Sequence, residues 1–157
     1  SFVQSSGQKM NYYILEPEVA GGLDDNCIID RSVFPPKIVH LHYQFDGWCG
    51  DEIIECFPCY LIAQSLKERI QRSKLTGVEF ATVEISFSDQ FHDLYGDKPM
   101  PTFVWLIVTG SLGKEDFALL PDARLLVSER ALNVILESHP LILTYKKYAA
   151  PEEGGYL

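Results

Sequence analysis

Apolar residues in this chain come in short bursts, and the period of their spacing switches between two and three-to-four along its length. Tyr12 to Leu15 is a brief apolar run closed by Glu16-Pro17, which predicts a first strand. Glu18 to Asp30 holds Gly21-Gly22 and Asp24-Asp25-Asn26, a turn-rich connection with room for a brief strand at Cys27-Ile28-Ile29. Pro35-Pro36 is a stiff lead-in to the clearest alternation, Ile38 to Phe45. There Leu41, Tyr43 and Phe45 fall on one face and His40, His42 and Gln44 on the other. A turn at Asp46 to Gly50 follows, bracketing Trp48.

Phe57-Pro58 then predicts a helix start, with Pro58 at the first position, where no amide partner is lost. Cys59, Ile62 or Ala63, Leu66 and Ile70 supply its buried stripe, and Thr76-Gly77 stops it. Val78 to Phe87 reads as a returning strand, and Asp89 as the cap of a short helical turn in the polar stretch to Asp97. Phe103 to Val108 is apolar on both parities, the mark of a central strand, and Phe117 to Leu120 pairs back across a loop. Arg124 to Val127 predicts a further strand, Ser128 an N-cap, and Leu132, Ile135 and Leu136 the core face of a helix to about Glu137. Leu141 to Tyr148 adds an edge strand guarded by two lysines. The sum is α+β: a single domain over residues 10–148, with a mostly antiparallel sheet of five or six strands and two principal helices. Residues 1–9 read as a leader or tag and 149–157 as a flexible tail.

Charge changes the picture more than length does. Thirteen basic against 22 acidic residues leave a net charge of −9, which disfavours binding to nucleic acid or an anionic membrane. It suits a protein that must capture a basic partner quickly, because its field steers the encounter. No apolar run reaches the roughly 18 residues of a membrane span, and no export signal precedes the first strand, so the expected location is cytoplasmic. Cys27, Cys49, Cys56 and Cys59 are then expected as thiols in a reducing compartment.

The candidate chemistry is concentrated between His40 and Tyr60. Cys56-Phe57-Pro58-Cys59 is a C-x-x-C at a predicted helix start, where thiol pKa values fall in dithiol oxidoreductases. Three nearby carboxylates oppose that, and buried thiols packing the helix start are the default reading of the pattern. Cys49, Cys56 and Cys59 with His40 or His42 offer zinc ligand types, but the second C-x-x-C of such sites is missing. His40-x-His42 pairs two imidazoles, and Asp89, His92 and Asp93 offer acid–base types with no nucleophile beside them. Gly21-Gly22 lacks the third glycine and Lys-Ser/Thr of a phosphate cradle. No metal or cofactor is assigned. Asp46, Trp48, Asp51, Glu52 and Glu55 form the remaining set: either an ordinary acidic turn, or an aromatic anchor ringed by charge that selects a basic protein.

Four strings carry a resemblance: Met10 to Leu23, Phe45 to Tyr60, Phe103 to Gly110, and Asp116 to Leu136. Together they resemble the immunity proteins of bacterial polymorphic-toxin systems, small cytoplasmic antidotes encoded beside a secreted toxin. The resemblance implies binding rather than catalysis, with the toxin's active site or substrate channel occluded. It implies no enzyme activity and a cognate toxin as partner; the Asp46–Glu55 segment, singled out by its own residues, is then the candidate toxin-binding region. The alternative from another class is a thiol- or metal-dependent enzyme using Cys56/Cys59 and His40/His42.

Overall fold

The computed structural model describes residues 10–149. The expected leader, and all of the expected tail except Ala149, lie outside the described residues. Within them the chain is α+β, with thirteen strands and three helices. The first strands are β1 (Tyr12–Glu16), β2 (Gly21–Leu23), β3 (Ile28–Asp30), β4 (Lys37–His40) and β5 (His42–Phe45). Next come β6 (Ile53–Cys56), β7 (Cys59–Ala63), α1 (Gln64–Arg72), β8 (Val78–Ala81), β9 (Glu84–Phe87) and α2 (Asp89–Tyr95). The chain closes through β10 (Phe103–Val108), β11 (Phe117–Leu119), β12 (Leu125–Ser128), α3 (Glu129–Leu136) and β13 (Thr144–Lys147).

The expected single sheet is instead four. Their strand orders are β11-β12-β1-β13, β6-β7-β10-β8, β2-β5-β9 and β3-β4. All named pairs are antiparallel except β5 with β9. Two predicted strands are each cut in two. Ile38 to Phe45 changes sheets at Leu41, and Val78 to Phe87 changes sheets at Thr82-Val83. Alternation tells which face a residue takes, and Leu41 stays buried through the bend; it carries no signal for a change of hydrogen-bonding partner.

The predicted helix start at Phe57-Pro58 is the largest correction. Cys59–Ala63 is buried at every position, and a run with no polar face fits a strand covered on both sides better than a surface helix. Phe57-Pro58 is a tight hairpin turn that sets Cys56 opposite Cys59, and the helix begins only at Gln64, with Leu66 and Ile70 as its buried stripe. A third helix, α2, replaces the short turn. Ser88 Oγ, rather than Asp89, accepts from Phe91 N and caps it. Ser128 caps α3 as its position predicts, accepting from Ala131 N at 3.2 Å.

Sheet β6-β7-β10-β8 is the middle layer and separates two cores. On one side Ile53, Tyr60, Ile62 and Leu106 meet α1, α3 and the sheet containing β1, through Leu66, Ile70, Leu125, Val127 and Ile135. On the other, Ile54, Leu61 and Phe103 meet Tyr43, Phe45 and Phe91. Phe45 packs against Tyr43, Phe87 and Phe103 with ring centroids 4.9–5.7 Å apart. β13 is exposed along its length and forms the lysine-bearing edge expected of it. No helix among the described residues is long and apolar enough to cross a membrane.

Candidate functional site

The five acidic and aromatic residues singled out between Asp46 and Glu55 do not form one patch. Asp51 is buried, 2% exposed. Its Oδ1 accepts from Leu141 N at 2.7 Å, and its Oδ2 from Ile142 N at 3.0 Å and Leu143 N at 2.8 Å. The carboxylate therefore fastens the loop after β5 to the segment that leads into β13. Glu18, also buried, holds the same loop by accepting from Cys49 N and Asp51 N. A side chain walled in this way cannot be a surface contact, which corrects the expectation for Asp51.

Glu52 serves the fold too. Arg69 of α1 grips it with two bonds, at 2.9 and 2.8 Å, and Ser65 Oγ donates to it. Arg69 continues to Val134 O at 3.0 Å and lies 3.2 Å from Glu137, so the Glu52–Arg69 pair ties the entry to β6 to both α1 and α3. Burial alone would raise the Glu52 pKa; the bonds from Arg69, Ser65 and Ser138 outweigh it and hold the carboxyl below its ordinary range. Glu55 differs. It is half-buried on β6, and burial together with Glu16 pushes its carboxyl above the ordinary range.

Asp46 and Trp48 stand apart at an open groove of about 370 Å³, bounded by the loop after β5, the segment before β2, and α2. Gly21 lets these walls approach, since a Cβ there would fall 1.9 Å from Gln44 O. Trp48 is fixed by its indole N–H, which donates to Asp51 O at 2.9 Å, and by edge-on packing against Phe103. Val19 and Leu94, 68% and 64% exposed, also line the groove, beside Tyr95 and the exposed thiol of Cys49. The ammonium of Lys98 lies 5.1 Å from the Trp48 ring and 4.8 Å from the Tyr95 ring, and donates to Trp48 O. Asp89, His92 and Asp93 are all exposed on α2, with Asp97 just beyond it.

The other candidates resolve individually. Cys56 and Cys59 line the second core rather than a helix start. Burial pushes the Cys59 thiol up to about 12 and raises Cys56 further, so neither is a thiolate at neutral pH. His40 and His42 sit on successive strands, and both approach Glu84. His40 Nε2 is 2.9 Å from its Oε1, while His42 Nδ1 is 3.7 Å from it and 3.5 Å from Asp24 Oδ1. His42 is 8% exposed and bonds Ser86 Oγ through Nε2. Among the described residues no group of three or more His, Cys, Asp or Glu is arranged to hold a metal ion.

Sequence reading misses the roles of Glu18, Val19, Leu94 and Lys98, and the second buried carboxylate hub at Asp116. Asp116 accepts from Ser128 Oγ, Thr76 and Arg130. Asp116 follows Lys114-Glu115 in the sequence, so it looks like one more solvated charge and no local signal marks it as buried. Scans of protein-family models, curated proteins and solved structures returned no match.

Proposed function

We propose that this protein is a non-enzymatic immunity protein, which binds a cognate bacterial toxin in the cytoplasm and neutralises it, protecting the producing cell. The observation that carries the reading is the groove at Trp48. A half-buried tryptophan, two exposed aliphatic side chains and Asp46 share one concave surface, flanked by the acidic helix α2. An apolar centre with an aromatic anchor and a charged rim is the anatomy of a protein-binding patch. The net charge of −9 adds speed, drawing a basic toxin domain towards it. The resemblance to immunity proteins points the same way. Burial of Cys56 and Cys59 weighs against the thiol-enzyme alternative, because the nucleophile is protonated and shielded there.

The test is co-expression with the toxin-like product of the adjacent gene. Growth should be restored by the wild-type chain and lost when Asp46 and Trp48 are replaced by Lys and Ala in a variant that retains its melting temperature. Undiminished toxicity with the wild-type protein, at matched expression, overturns the reading.

A further inference from the structure

We infer that the groove beside Trp48 is a seat for a single protruding arginine or lysine side chain on a protein partner. The inference rests on the binding reading above and names the chemistry of its central contact. Three observations converge on it. The rings of Trp48 and Tyr95 line the groove and already attract an ammonium group, that of Lys98, at 5.1 and 4.8 Å. Asp46 lines the same space, so a long cationic side chain finds both a π-face for its stem and a carboxylate for its head. Val19 and Leu94 stand exposed at its walls and offer apolar surface to the residues flanking that side chain.

The local field has the required sign. The exposed thiol of Cys49, on the groove wall, has its pKa raised chiefly by the Glu18 carboxylate, with Asp51 adding and Lys98 opposing. Lys98 is thus the groove's own competitor for cations, and it sets the affinity of the seat downward.

Cys49 is also the reporter. Methanethiosulfonate reagents transfer their thiol half to its thiolate, forming a mixed disulfide and releasing methanesulfinate. The full chain is treated with a cationic trimethylammonium-ethyl reagent or an anionic sulfonato-ethyl reagent, and modification of Cys49 is followed by mass spectrometry. The rate ratio is normalised to the same ratio on free 2-mercaptoethanol. It should favour the cation about tenfold at low salt and shrink as salt is added. Lys98→Met should raise the ratio and Asp46→Asn lower it. N-acetyl-arginine amide should protect Cys49 from neutral methyl methanethiosulfonate, while N-acetyl-citrulline amide, the same shape without charge, should not. A normalised ratio near one, or equal protection by the two amides, overturns the seat. That failure would leave toxin rescue untouched, whereas a working seat without rescue would sink the toxin reading alone.

Discussion

Asp46 and Asp51 lie five residues apart and do opposite work. Asp51 is walled in, its two oxygens taken by three backbone amides from the far end of the chain. Asp46 faces an open groove beside a tryptophan. The same contrast runs through the molecule: Glu52 and Asp116 are gripped by arginines, while Asp89, Asp93 and Asp97 are exposed in and beyond α2. Acidity in this chain therefore has two uses, and position in sequence does not separate them. Burial and hydrogen-bond partners do.

Removing the Asp51 clamp should have the largest effect. Asp51→Ala strands three amides in the segment that leads into β13, and bonds to a charged acceptor are worth about 1.5–3 kcal/mol each, though not additively. We expect a loss of about 3 kcal/mol or more in urea unfolding; a midpoint close to wild type would show that the amides find other partners. Breaking the Glu52–Arg69 grip with Arg69→Met should cost less, about 1–3 kcal/mol, because the pair is only mostly buried.

Acid should separate these groups by sign. Glu52 and Asp116 have folded-state pKa values below the ordinary carboxylate range, so their stabilisation is full above that range and lost as pH falls through the lower folded values. The melting temperature should drop below about pH 4, and the drop should be shallower in Arg69→Met. Glu55 is the reverse case. Its raised pKa means that ionisation costs stability as pH climbs above the ordinary range, so Glu55→Gln should melt slightly higher than wild type at pH 7 and lose that advantage by pH 4. An advantage that grows on acidification would contradict the burial argument.

The smallest effect on stability belongs to the groove. Asp46→Asn with Asp93→Asn should leave unfolding within about 0.5 kcal/mol of wild type. Stopped-flow association with the toxin should nonetheless slow, and its salt dependence should weaken. Loss of stability with unchanged association would place Asp46 with Asp51 rather than against it.

Much of this was legible in the residues themselves. The strands at Tyr12, Phe103 and Leu125, the Ser128 cap and the lysine-guarded edge follow from local pattern, because each depends on neighbours within a few positions. Cys59 to Ala63 does not. Its pairing depends on β6 and β10, the latter forty residues away, and its burial on both faces depends on the two cores its sheet separates. A preceding proline makes a helix start look equally sound. The groove was half legible. Trp48 among acids signals an anchor, but its other wall comes from α2, and nothing near residue 48 announces Leu94 or Tyr95. Asp51 was misplaced for the same reason: its partners lie about ninety residues downstream.

β1 sits between β12 and β13, so the earliest strand described is held on both sides by nearly the latest. A ribosome delivers that first strand long before either neighbour exists, and Asp51 waits just as long for residues 141–143. Fragments ending short of β12 have no way to complete this sheet, and a chain cut before residue 141 leaves a charged side chain stranded in the interior. Synthesis must pass β13 before β1 and Asp51 have all their partners, so the stability of this fold arrives late and nearly all at once.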